Sequence, residues 1–143
     1  MSLTVISQLS PEQIKQLHQL YQITWWGKNR TINDIERMLE HSDLIVGICA
    51  NQTQKLLGFA RILTDYVYRA VLWDVIVDPN YQGQGLGKKL VETIIAHPEL
   101  KQVETILLIC LPDMVSFYEK FGFTTHDNKL ALMTLSGNWS EQI

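Results

Sequence analysis

Polar and apolar positions along this chain change period several times, and each change marks an element. Leu3-Thr-Val-Ile6 is a short strand. Ser10-Pro11-Glu12-Gln13 then starts a helix: a cap residue, proline at the first helical position and a reciprocal side chain at the third. Ile14, Leu17, Tyr21 and Trp25 keep helical spacing after it. Thr31 with Asp34 opens a second helix carrying Ile32, Ile35, Met38 and Leu39. Leu44 to Ala50 is a strand, Asn51 to Gln54 a polar turn, and Leu56 to Leu63 the next strand, antiparallel by the shortness of the loop. Ala70 to Val77 is long and mostly apolar, as befits a central strand.

The pattern then turns helical again, with Leu86, Leu90, Ile94 and Ile95 on one side, and Pro98 limits that helix. Glu104 to Cys110 predicts a strand, Met114 to Phe121 a helix with Gly122 as its C-terminal cap, and Lys129 to Leu135 a last strand. Strand, glycine turn, helix and strand form a βαβ crossover in an otherwise mostly antiparallel sheet. The expected fold is α+β: a mixed sheet flanked by helices on both faces, in one domain spanning 1–143.

The junction before the third helix carries the chemistry. A β-branched run ends at Asp78-Pro79, and glycines follow at 83, 85 and 87. Glycines there let main-chain N–H groups face a bound oxyanion, and the new helix adds unpaired donors and the positive end of its dipole. This is a cradle for phosphate or pyrophosphate. It is not a Walker A loop, because Lys89 stands where the Ser or Thr belongs and Gln82 where the first glycine belongs. Nor is it the dinucleotide fingerprint, because Lys88 occupies the place of its last glycine.

Gln82-x-x-Gly85-x-Gly87 instead resembles the acyl-CoA pyrophosphate loop of the GNAT N-acetyltransferases, whose pattern is Arg or Gln, two residues, Gly, one residue, then Gly or Ala. Phe117-Tyr118-Glu-Lys-Phe-Gly122-Phe123 is similar to a late element of the same family. The runs Val71–Pro79 and Tyr81–Gly87 also look like its plastid and cyanobacterial branch, with which arylalkylamine (serotonin-type) and protein lysine acetylation are associated.

The resemblance implies acetyl-CoA as co-substrate and a primary amine as acceptor, with direct transfer in a ternary complex. It implies that Gln82, Gly83, Gln84, Gly85, Leu86, Gly87 and Lys88 hold the coenzyme's diphosphate, and that the main chain of Val75, Ile76 and Val77 pairs with the pantetheine arm. Tyr118 matches the tyrosine assigned to the leaving thiol. Asp74, on the central strand, is the first candidate for general base, against the alternative of a carboxylate paired with Arg61 or Arg69; Asp113 is the second, and a water chain the third. Trp25, Trp26 and Trp73 are candidates for an aromatic acceptor wall, against the alternative that Trp25 closes the core side of the first helix. The acceptor expected is a small alkylamine or arylalkylamine. A protein lysine or N-terminus and a non-catalytic acyl-CoA module are the rival readings, and a nucleotide binder is the weakest.

Composition sets outer bounds. Hydrophobic residues make up 46% of the 143, enough for a sizeable core. Net charge is -3 without a basic stripe, which argues against nucleic acid. No apolar run approaches bilayer length and no signal-peptide pattern opens the chain, so the expectation is a cytoplasmic protein without membrane contact, with a homodimer left open. Cys49 and Cys110 read as buried free thiols. His18, His41, His97 and His126 have no metal-ligand spacing with them, so no metal is expected.

Overall fold

The computed structural model describes residues 2–135. The chain divides into two compact units, one ending at Ile109 and one beginning at Cys110.

The first unit is built on a five-stranded sheet: β1 (Leu3–Ile6), β2 (Leu44–Ala50), β3 (Leu56–Thr64), β4 (Arg69–Val77) and β5 (Thr105–Leu108), adjacent in that order. The first four are antiparallel neighbours, and β5 runs parallel to β4. Helices α1 (Pro11–Ile23) and α2 (Ile32–Glu40) lie between β1 and β2 in sequence, and α3 (Leu86–Ile95) is the crossover between β4 and β5.

Two bulges decide which side chains share a face. In the β2–β3 ladder Ile48 faces Gly58 and Cys49 faces Leu56, so Leu57 is an extra residue. That slip puts Leu56 and Phe59, three apart, in one cluster with Leu17, Leu20 and Tyr21 of α1, Ile35 of α2 and Ile76 of β4. A Cβ added to Gly58 would meet Leu90 of α3 at 3.3 Å, so α3 covers the opposite face. Each fully buried Leu, Ile or Phe in these layers contributes about 1.5–3 kcal/mol. In the β3–β4 ladder Arg61 faces Trp73 and Phe59 faces Ile76, so Asp74 and Val75 together oppose Ala60. Asp74 has φ of +58°, a left-handed backbone that aspartate tolerates better than most side chains.

The expected helix starts are present. Ser10 and Gln13 form a reciprocal capping box, and the Thr31 hydroxyl accepts from the Asp34 N–H. The first helix ends sooner than its spacing suggests. The Thr24 hydroxyl donates to the Tyr21 carbonyl at 2.8 Å, and the Gly27 N–H donates back to that hydroxyl at 2.9 Å. Trp25 therefore leaves the helix and stands half exposed, and Trp26 packs against the core instead.

The expected strand Glu104–Cys110 is shorter, Thr105–Leu108. In the second unit a 3-10 turn, Pro112–Met114, precedes α4 (Val115–Glu119), where a single helix over Met114–Phe121 was expected. The expected strand Lys129–Leu135 is a turn followed by irregular chain. Alternation makes a strand only where a neighbour completes the ladder. Residues 131–135 have none among the described residues, and Leu130, Leu132, Met133 and Leu135 are exposed.

Candidate functional site

In the first unit the site grows from the end of β4. Its ladder with β5 runs from Arg69 to Leu72 and stops, so Trp73 to Val77 is paired only with β3 among the described residues. The outer main-chain groups of Val75, Ile76 and Val77 thus lie along an open sheet edge, ready to pair with an extended ligand.

Asp78 ends the strand. Its buried carboxylate accepts from the Asn80 N–H at 2.9 Å and lies 3.8 Å from the Lys55 ammonium, which fixes the start of the next loop. Gly83 and Gly85 then have φ of +79° and +82°. No internal hydrogen bond among the described residues uses the main-chain N–H of Gln82, Gly83, Gln84, Gly85, Leu86, Gly87 or Lys88; the first to bond inward is that of Lys89, at 3.0 Å from the Gly85 carbonyl. A Cβ at Gly83 or Gly85 would meet nothing within 4 Å, so open space lies beside the turn. The first turn of α3 holds no acidic residue, and the Lys88 and Lys89 side chains are exposed beside it. Free donors, open space and a positive helix end suit a diphosphate.

Asp74 sits on the bulge, three residues before the end of β4, and its side chain is 6% exposed. One oxygen, Oδ2, accepts from Tyr21 Oη at 2.9 Å, Arg30 Nη1 at 2.8 Å and Arg61 Nε at 2.8 Å. Burial pushes the Asp74 carboxyl up, but the two guanidiniums outweigh it and hold it below its ordinary value. Burial works against the Arg30 charge, and the Asp74 carboxylate more than offsets it. The Tyr21 phenol is driven up by burial and by the Asp74 charge. A carboxylate held ionised by two cations is a weak proton acceptor. The geometry therefore favours pairing with Arg61 over the general-base role, and Arg69 pairs elsewhere, with Glu104.

Arg30 joins this cluster to the aromatic residues. Its Cζ lies 4.7 Å from the Tyr21 ring centroid and 5.2 Å from that of Trp26, and the two rings meet edge-on. Trp26 is thus joined to this cluster, Trp73 is half-buried on β4, and Trp25 takes no part in these contacts. Beside Arg30 lies an open hollow of about 450 Å³, lined by His18, Gln22, Lys28, Asn29 and Thr31 among others, with no carboxylate in its lining. Tyr21 and Arg30 were not legible as site residues. Arg30 and Asp74 are 44 positions apart, and no spacing rule links a loop arginine to a strand bulge.

The second unit holds Tyr118, 8% exposed, its ring edge-on to Phe117 and Phe123. Burial, then the neighbouring Cys110, pushes its phenol up to about 12. It holds its proton throughout the neutral range. The Cys110 thiol is raised by burial and by Asp113, and the Cys49 thiol by burial, so neither is an activated nucleophile. Both cysteines are free; Cys49 is fully buried and Cys110 half-buried.

Comparison with known proteins bears on this arrangement. Residues 11–123 match the family model described as the acetyltransferase (GNAT) family. The chain is 36% identical over 110 residues to the uncharacterized N-acetyltransferase ycf52 of Porphyra purpurea, covering 76% of this chain and 63% of that protein. It is 32% identical over 112 residues to GCN5-related N-acetyltransferase 1, chloroplastic, of Arabidopsis thaliana, covering 78% of this chain and 56% of that one. The matches thus span roughly three fifths of these relatives' length. A crystal structure of a protein assigned to the GNAT acetyltransferases from Xanthomonas campestris pv. campestris superposes with a TM-score of 0.80 at 28% identity, over 98% of each chain. With the family match over residues 11–123, the five-stranded mixed sheet and the glycine turn between β4 and α3, this chain belongs to the GNAT acetyltransferase family.

Proposed function

We propose that this chain is an acetyl-CoA-dependent N-acetyltransferase that moves an acetyl group to a primary amine by direct attack in a ternary complex. The observation that carries the reading is the row of N–H groups from Gln82 to Lys88, at two left-handed glycines, that no internal hydrogen bond among the described residues uses. Acetyl-CoA supplies the activated acetyl group as a thioester. The loop amides and the α3 dipole hold the diphosphate, and the open edge of Val75, Ile76 and Val77 aligns the pantetheine arm as an added strand. Both units serve as one catalytic domain in this reading.

Each remaining demand falls on a named group. The Tyr118 phenol keeps its proton at neutral pH and donates it, or a hydrogen bond, to the departing thiolate. The attacking nitrogen passes its proton to water, because Asp74 is already occupied by Arg30 and Arg61. The acceptor is a small arylalkylamine, with Trp25, Trp26 and Trp73 as its aromatic surroundings. A peptide lysine is the second reading; the hollow beside Arg30 lacks the carboxylates that would attract a lysine-rich segment. The compartment we infer is the cytoplasm or the plastid, and the chloroplastic name of the Arabidopsis relative supports the latter.

The test is an acceptor screen. Free thiol release from acetyl-CoA is followed with arylalkylamines, aliphatic amines and lysine peptides, alongside calorimetry with coenzyme A. Saturable thiol release that needs an amine is expected, with a loss of about tenfold or more in kcat for Tyr118→Phe. Absence of heat on adding coenzyme A overturns the reading. Near-normal turnover in Tyr118→Phe removes the tyrosine from the mechanism.

A further inference from the structure

Three separate pieces of the first unit converge on one oxygen atom. Tyr21 comes from α1, Arg30 from the loop between α1 and α2, and Arg61 from β3, and all three donate to Oδ2 of Asp74 within 2.9 Å. The other carboxylate oxygen takes none of these contacts. Asp74 is also where β4 bulges and turns left-handed, immediately before the unpaired edge Val75–Val77. The loop that delivers Arg30 is the one that carries Trp25 and Trp26, and the guanidinium lies over the Tyr21 and Trp26 rings. Besides this contact, Trp26 packs the loop against the core cluster. Its own hydrogen bonds are local: Thr24 to Tyr21, Gly27 to Thr24 and Arg30 to Gly27.

We propose that Asp74 and Arg30 are positioning residues, which clamp the Trp25–Trp26 loop to the β4 bulge and so set where the acceptor amine meets the coenzyme-binding edge. This rests on the N-acetyltransferase reading and deepens it. The clamp acts at a distance from the reacting atoms. Arg30 fixes the loop by a directional guanidinium contact and by cation–π attraction to the Tyr21 and Trp26 rings, and the carboxylate fixes the backbone that leads into Val75–Val77. Asp74 takes no proton from the substrate in this scheme. Lysine at position 30 retains the charge but loses the planar guanidinium that lies over the Tyr21 and Trp26 rings while Nη1 reaches Asp74, so it restores the clamp only in part.

The 143-residue chain tests this with Arg30→Gln and Arg30→Lys beside the wild type, using acetyl-CoA and the best amine from the screen. The Michaelis constant for the amine is expected to rise about tenfold in Arg30→Gln and less in Arg30→Lys, with that for acetyl-CoA within about twofold. The acid limb of the kcat/KM profile is expected to stay in place. A shift of that limb to higher pH on removing Arg30 means that Asp74 titrates as the base, and overturns the proposal. Unchanged Michaelis constants with only a lower melting temperature reduce the clamp to a structural role and also overturn it. Amide exchange gives a readout free of turnover: residues 24–31 are expected to exchange faster in Arg30→Gln, with the first turn of α3 unaffected. If the wild type releases no thiol, the enzymatic reading has failed on its own, and unaltered exchange over 24–31 would then separately overturn the clamp.

Discussion

Arg61 stands opposite Trp73 in the β3–β4 ladder, yet its Nε donates at 2.8 Å to Oδ2 of Asp74, one residue further along β4. The bulge makes this reach possible, because Asp74 and Val75 share the place opposite Ala60. Neither side chain is left uncompensated: the arginine is 14% exposed and the carboxylate 6%, and Arg30 and Tyr21 add two more donors to the same carboxylate oxygen.

Removing the carboxylate leaves two guanidiniums sharing no acceptor. Asp74→Ala is expected to destabilise the fold by about 3 kcal/mol or more, read from urea unfolding at pH 7. The pH dependence has a definite sign. The folded carboxyl lies below its ordinary value, so its contribution is complete above about pH 4 and is lost as pH falls from there through the folded value. Asp74→Asn is expected to lack that component of acid destabilisation; an unchanged acid transition in this variant would show that Asp74 is not its source.

Gly85 separates backbone strain from ligand binding. A Cβ there meets nothing within 4 Å, so Gly85→Ala loses only the freedom to hold φ at +82°. The expected cost is about 1–2 kcal/mol in stability. Calorimetry with coenzyme A is expected to show a loss of more than about tenfold in affinity, because the strained turn re-aims the loop amides. Unchanged affinity at reduced stability would mean that those amides do not hold the diphosphate.

Tyr118 governs the alkaline side. Its phenol titrates near 12, raised first by burial and then by Cys110. A folded value above the ordinary 10 gives stability that is whole below about pH 10 and lost as pH rises toward 12. Tyr118→Phe has no phenol to ionise and is expected to keep more of its pH 8 stability at pH 11 than the wild type does. Thermal melts across this range check it, and parallel curves would exclude Tyr118 as a source of alkaline unfolding.

Gly47 tests the packing of β1 on β2. A Cβ there would come within 2.8 Å of Ile6 Cγ1, closer than carbon atoms approach. Gly47→Ala must displace Ile6 and is expected to cost about 1–3 kcal/mol by overpacking, measured as a lower urea midpoint with an unchanged slope.

The local elements were largely legible in the sequence because their causes are local. The Ser10–Gln13 capping box, the Thr31 cap and the glycine turn at 83–87 each depend on residues within a few positions of one another. The early end of α1 was not legible: Ile14, Leu17 and Tyr21 run smoothly toward Trp25, and only the Thr24 hydroxyl turning back on the Tyr21 carbonyl breaks the run. Alternation over Lys129–Leu135 looked like a strand, but pairing belongs to two segments and cannot be read from one.

Sequence alone was enough for the order of strands and helices through the first unit, the glycine turn at 83–87 and the family, since hydrophobic period, caps and glycine conformation act over a few residues. What Asp74 touches came only from the tertiary structure. On the strand alone the carboxylate reads equally as a base or as an ion-paired group, and the fold shows three donors, from α1, the following loop and β3, closing on the same oxygen. Those donors lie 53, 44 and 13 positions away in the chain, and only folding brings them within hydrogen-bonding distance.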